Sequence, residues 1–200
     1  MEALIPDGVS RDGAGAALVT RRVVTTGPES TGKTILAGAL AAEWSAPLVP
    51  EAARAYAEGV VLEGRQLTAS DVEPIARLAI SLDDTAMARA PALIVLDTDL
   101  LSTVVYARHY YGSCPSWIEA ETRARRADLY LLCDIDLPWT PDAVRDRPAD
   151  REAMFGLFVN AIEEFECDVT RVQGAGQARV HAARLAVADR RWMARTGSGA

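Results

Sequence analysis

Residues 27–34 read Gly27-Pro28-Glu29-Ser30-Thr31-Gly32-Lys33-Thr34. They follow a short β-branched run, Arg22-Val23-Val24-Thr25-Thr26, and they open an apolar, alanine-rich stretch that runs from Lys33 to about Glu43. The octapeptide matches GxxxxGK[ST] in full, and the strand before it and helix after it are the context that the motif requires. Glycine lets successive backbone N–H groups wrap a phosphate, and the N-terminus of the following helix adds its dipole. Gly27, Glu29, Ser30, Thr31 and Gly32 form this cradle. Lys33 reaches the β- and γ-phosphates, and the Thr34 hydroxyl is a Mg²⁺ ligand.

Composition sharpens the point. Of the 21 basic residues, 20 are arginines and Lys33 is the single lysine. A compact ammonium fits between phosphates where a planar guanidinium does not. A guanine-reading Asn-Lys-x-Asp signature is absent, since Asn160 is the only asparagine and sits in an apolar helical stretch. The chain is 200 residues long, 50% hydrophobic and 24% charged, which suits a single domain with a sizeable core. A large ring ATPase needs more chain, whereas a small-molecule kinase fits.

The net charge of −7 argues against nucleic-acid and anionic-membrane partners. No apolar run approaches the roughly 18 residues of a membrane span. The three scattered cysteines, Cys114, Cys133 and Cys167, carry no CxxC pattern and suit a reducing cytoplasm. Residues 1–20 are Gly/Ala-rich without period and read as a flexible leader; residues 21–200 read as one domain.

Outward from the phosphate loop, strand and helix signals alternate. Pro47-Leu48-Val49-Pro50 is a second strand ending at Glu51, and a helix carrying Arg54 and Tyr56 follows. Ser70-Asp71-Val72-Glu73 has capping-box spacing and opens a long helix. Ala92-Leu93-Ile94-Val95-Leu96 is an uninterrupted apolar run, as in a strand buried on both faces, stopping at Asp97-Thr98-Asp99. Helices are expected from Leu100 to Tyr111 and from Pro115 to about Arg126, then a fourth strand over Asp128–Cys133. A helix over Met154–Glu166 places Phe155, Phe158, Val159, Ile162 and Phe165 on one face. Val169–Val172 is a fifth strand, and a last helix starts near Gln177. The pattern predicts an α/β fold with a five-stranded parallel sheet between helices. Ligands of such sheets bind beyond the carboxyl ends of the strands, where Gly27, Glu51, Asp97 and Asp134 fall.

The carboxylates there have stated tasks. Asp97 takes the position of the Mg²⁺-associated carboxylate. Asp99, two residues on, is expected on the same side of an extended chain, and it also fits the N-cap of the next helix. Glu51 can accept the proton of an attacking hydroxyl. Arg54, one turn later, can orient Glu51, grip an acceptor phosphate, or simply pair with Glu51 at the helix start. Arg145, Arg147 and Arg151 lie in a Pro- and Asp-containing loop from Asp136 to Arg151. Such a loop can close over ATP as a lid and bring guanidinium groups to the transferred phosphoryl, or it can be a solvated charged loop. Tyr56, Tyr106 and Trp139 can stack on a flat ring or serve as packing. Gly174-Ala175-Gly176 follows the fifth strand, and Arg179 beyond it can pack on the adenine base.

Four segments together resemble the ribosylnicotinamide kinase domain of the NadR-type NAD-salvage proteins: GPESTGKT (27–34), VPEAARAYA (49–57), LDTDLLSTVVYARHYYG (96–112) and LYLLCDIDLPWTPDAVRDRP (129–148). The first is generic; the order of the other three is more particular. The resemblance covers about residues 22–190. It implies a P-loop kinase core and ATP/Mg²⁺-dependent phosphorylation of the 5′-hydroxyl of nicotinamide riboside. It would gather Glu51, Asp97 and Asp99 around the metal and acceptor, with the lid arginines at the phosphates. Larger family members carry DNA-binding and nucleotidyltransferase domains upstream. With 20 residues ahead of the first strand and no His-x-x-His pair, this chain is expected to carry neither. Two other readings remain: a kinase for another nucleoside or a nucleoside monophosphate, and an ATP-binding regulatory module without transfer.

Overall fold

The computed structural model describes residues 19–138 and 151–190. Trp139, Arg145, Arg147, most of the expected leader and most of the expected lid lie outside the described residues.

Five parallel strands form one sheet in the order β2-β3-β1-β4-β5: β1 (Arg21–Thr26), β2 (Leu48–Val49), β3 (Leu93–Asp97), β4 (Leu129–Cys133) and β5 (Val169–Val172). Seven α-helices are described: α1 (Lys33–Glu43), α2 (Ala52–Leu62), α3 (Val72–Met87), α4 (Leu100–Tyr111), α5 (Ser116–Ala124), α6 (Arg151–Glu164) and α7 (Gly176–Ala188). The central strands are buried on both faces, which is why β3 and β4 read as unbroken apolar runs rather than alternating ones. Alternate side chains still sort cleanly. Val24, Ile94, Leu96, Tyr130 and Leu132 pack under α3, α4 and α6. Val23, Val95, Leu129, Leu131 and Cys133 pack under α1 and α7.

Two local expectations shift. The capping box lies at Thr68 and Asp71, on a 3-10 turn over Ala69–Asp71, not at Ser70 and Glu73. Asp71 is drawn inward because Arg65 donates to both its oxygens at 2.9 Å and the Tyr56 hydroxyl donates at 2.9 Å. Glu73 is left on the surface beside Arg77. On α6 the buried face is Met154, Phe158, Ala161 and Ile162, and Val159 is 40% exposed. A stripe at i, i+4, i+7 and i+8 follows the helical period; Val159, adjacent to Phe158, falls off it.

At the carboxyl end of the sheet β4 and β5 are tied by charge. The Asp134 carboxylate accepts from Arg171 Nε at 2.7 Å and Nη2 at 2.9 Å, from Gln173 Nε2 at 2.6 Å and from its neighbour's amide at 2.8 Å. Those donors hold its pKa down to about 2.

Phe158 is fully buried and meets Tyr106 edge-on at 5.7 Å. Phe158→Ala should cost about 3–5 kcal/mol in urea unfolding, and a loss below about 1 kcal/mol would contradict its place in the core. Asp134 titrates lower folded than unfolded, so its contribution is complete above its ordinary pKa and fades as pH falls toward about 2. The stability gap between wild type and Asp134→Asn, followed by thermal unfolding, should therefore narrow between about pH 5 and about pH 2. A gap independent of pH would mean that the ionised carboxylate is not its source.

Candidate functional site

β1 ends at Thr26, and Gly27 turns the chain with φ +125°. A Cβ there would stand 2.9 Å from the Cys133 carbonyl oxygen, so the turn demands glycine both for conformation and for close approach to β4. Ser30 adopts φ 56° and Gly32 φ 78°, which curls the loop onto the start of α1. Within it the Lys33 ammonium donates to the Pro28 carbonyl at 2.7 Å, and the Thr31 hydroxyl donates to the same oxygen at 2.8 Å. The loop is thus closed on itself around its cation, at the N-terminus of a helix whose dipole favours an anion.

Asp97 lies on the other side of this loop. The β1–β3 register sets it opposite Thr25, and it is only 3% exposed. Burial raises its pKa, and the Glu51 charge raises it further; a hydrogen bond with Thr34 and the charges of Lys33 and Arg54 oppose this. Its Oδ1 is buried without a hydrogen-bond partner. A carboxylate oxygen left over beside a threonine hydroxyl is a hard-oxygen donor set that suits Mg²⁺, which takes one or two carboxylates and fills the rest of its shell with phosphate and water. Among the described residues no group of three or more His, Cys, Asp or Glu side chains could hold a metal alone.

Asp99 does not share that face. Thr98 sits at φ 66°, and a left-handed residue between the two aspartates breaks the extended alternation that would have aligned them. Asp99 instead caps α4, accepting from the Leu101 amide at 3.1 Å, and accepts the Tyr130 hydroxyl at 2.6 Å. Burial pushes its pKa up to about 6 against these two donors.

Glu51 is the N-cap residue of α2, and Arg54 Nε lies 3.6 Å from its carboxylate. Both line a cavity of about 520 Å³ between α2, α3, α4 and the sheet, together with Glu29, Thr98, Asp99 and Tyr106. That is within the range of small-molecule pockets. Arg22 and Asp83, which are ion-paired, also line it. Tyr106 presents a ring stacked with Tyr110 at 6.1 Å and 8°. Tyr56, expected near a flat substrate, is not part of this wall; its hydroxyl is spent on Asp71.

Arg151 opens α6 beside the phosphate loop, donating to the Leu137 carbonyl at 3.0 Å and to that of Ser30 at 3.4 Å. Arg179 is placed differently from expectation. It is 3% exposed, with Nε on the Gly174 carbonyl at 2.7 Å, Nη1 on the Thr31 carbonyl at 3.1 Å, and Nη2 on the Asp134 carbonyl at 3.3 Å and on the Asp136 carboxylate. A guanidinium so enclosed has little face to offer a base. Sequence reasoning missed Asp136 and Thr31 as its partners because they lie 43 and 148 residues away. No helix among the described residues is long and apolar enough to cross a membrane.

The chain is similar to the trifunctional NAD biosynthesis/regulator protein NadR of Escherichia coli (strain K12), with 29% identity over 157 residues, covering 76% of this chain and 38% of the relative. The NadR of Salmonella typhimurium gives 28% identity over 158 residues, 78% of this chain and 38% of the relative. The chain thus spans well under half the length of these relatives. Among solved structures, NadR in complex with NR superposes with a TM-score of 0.69 at 24% identity, over 85% of this chain and 50% of that one. Thymidylate kinase from Ehrlichia chaffeensis does so with a TM-score of 0.61 at 12% identity, over 84% of this chain and 96% of that one. At these identities the likeness establishes the fold, that of the P-loop kinases. The AAA domain family matches residues 22–179, and the chain belongs to that family.

Proposed function

We propose that this protein is a Mg²⁺- and ATP-dependent kinase that phosphorylates the 5′-hydroxyl of nicotinamide riboside, giving nicotinamide mononucleotide. The observation that carries the reading is the meeting of two compartments. Glu51 lines a cavity of small-molecule size that Glu29 of the phosphate loop also borders, and its charge acts on Asp97, which is hydrogen-bonded with Thr34. A phosphate donor and a hydroxyl acceptor held there would face each other across two carboxylates. The similarity to NadR, solved with NR and separately with NAD and AMP-PNP, supports the choice of substrate.

In this reading the loop amides and Lys33 hold the β- and γ-phosphates, with Lys33 released from the Pro28 carbonyl. Asp97 and Thr34 would hold Mg²⁺, which supplies charge neutralisation on the transferred group. Glu51 accepts the proton of the ribose hydroxyl, and Arg54 orients Glu51. Asp99, with its oxygens on Leu101 and Tyr130, fixes the start of α4 at the cavity wall. The stacked rings of Tyr106 and Tyr110 offer their faces to a pyridinium cation. Arg151, held beside the phosphate loop at Ser30, would meet the phosphates. The proximity of Arg54 to Glu51 supports a nucleoside acceptor over a nucleoside monophosphate, whose phosphate would call on that arginine. The site works in the cytoplasm on small molecules, without nucleic acid.

Purified protein with ATP and Mg²⁺ should consume ATP in response to nicotinamide riboside, with the mononucleotide identified by mass. Stimulation by nucleoside monophosphates alone would favour the nucleotide-kinase reading, and no response to any acceptor would favour a regulatory ATP-binding module. Lys33→Ala should abolish transfer. Glu51→Gln should lower kcat by about 10²–10⁴-fold with ATP affinity nearly intact, and an unchanged kcat would remove Glu51 as the base.

A further inference from the structure

The phosphate loop is held from behind by a residue outside its motif. Arg179, in the first turn of α7, is buried at the junction of three segments: the phosphate loop at Thr31, the exit of β4 at Asp134 and Asp136, and the loop after β5 at Gly174. The Asp136 carboxylate is fixed in turn by the Gly174 amide, which donates to it at 2.6 Å. The guanidinium is therefore oriented before it reaches Thr31. Its planar fork suits this task, because several donors diverge from one rigid group.

A trans peptide is planar, with the carbonyl of one residue and the N–H of the next pointing to opposite sides, and no cis peptide occurs among the described residues. Holding the Thr31 carbonyl toward α7 thus turns the Gly32 N–H the other way. Gly32 is the N-cap of α1 and has a left-handed backbone; with no side chain, its peptide is free to rotate unless something restrains it. We propose that Arg179 is a positioning residue for the phosphate site, which by gripping the Thr31 carbonyl keeps the Gly32 amide aimed at the bound polyphosphate. Arg179 then acts on the phosphates through the loop and makes no contact with the base. This rests on the reading of residues 27–34 as a phosphate-binding loop.

The test separates phosphate from base by binding each alone. Calorimetry of the full chain with inorganic tripolyphosphate, ATP and adenosine, each with and without Mg²⁺, gives the comparison. For Arg179→Gln, tripolyphosphate and ATP should weaken by a common factor of about tenfold or more, and adenosine should bind as in wild type. Arg179→Lys, which can still reach one carbonyl, should recover part of the loss. Weakened ATP and adenosine with unchanged tripolyphosphate would overturn the proposal in favour of a base contact. Unchanged affinity for all three would overturn it outright. Should Arg179→Gln fail to fold, Asp136→Asn removes only the charge that orients the guanidinium. It should show a smaller tripolyphosphate-selective loss, and equal affinity there also overturns the proposal. Wild-type protein that binds neither ATP nor tripolyphosphate would instead refute the phosphate-loop reading itself.

Discussion

The position of β1 between β3 and β4 is the constraint on which the site depends. Its backbone is paired on both edges, with Thr25 opposite Asp97 on one side and Thr26 opposite Leu132 on the other. Side chains alternate along a strand, so a slip of one residue would turn Asp97 away from the loop and set its neighbour there instead. The core forbids such a slip: Val24 and Leu96 belong to one apolar layer and Val23 and Val95 to the other. The chain emerging from β1 must then turn at once against β4, in a space that admits no Cβ at Gly27. Packing of the strands thus dictates both where the loop forms and which carboxylate it meets.

That arrangement keeps the Asp97 carboxyl under tension. Burial and the neighbouring Glu51 both disfavour its charge, and Lys33, Arg54 and the Thr34 hydroxyl only partly offset them. A divalent cation is the natural complement to such a cluster, since it offsets both the desolvation and the carboxylate repulsion at once. Asp99 sits only two residues away and meets a different fate. It is consumed by the α4 N-terminus and Tyr130, so its work is first to fix where α4 starts and therefore where the cavity wall stands.

Much of this was legible from residues alone, because the signals were local. The boundaries of α1 at Lys33 and Glu43 and of α4 at Leu100 and Tyr111 follow from glycine and apolar periodicity within a few residues. The unbroken run through Ile94 announced a strand covered on both faces. What stayed hidden was set by backbone conformation or by distant partners. The left-handed turn at Thr98 leaves no trace in composition, yet it separates two aspartates that an extended chain would align. The true capping box at Thr68 and Asp71 competes with an equally spaced pair at Ser70 and Glu73, and only the pull of Arg65 and Tyr56 decides between them. Arg179 looked like a base-contact candidate because it follows β5; its partners come from chain segments that only the folded sheet brings together.

The charge balance explains how an acidic chain can present a phosphate site at all. With a net charge of −7, the long-range field repels a polyanion. Many of its arginines are paired with carboxylates, as Arg108 is with Glu119 and Glu164 and Arg125 with Asp83, Asp84 and Glu121. Attraction must then be generated at short range, by the α1 N-terminus, the loop amides and Lys33. Such groups act only when correctly aimed, whereas a diffuse positive surface tolerates disorder. Aim is therefore what the surrounding structure supplies: Gly27 pressed on β4, Lys33 parked on Pro28, and a buried guanidinium behind Thr31.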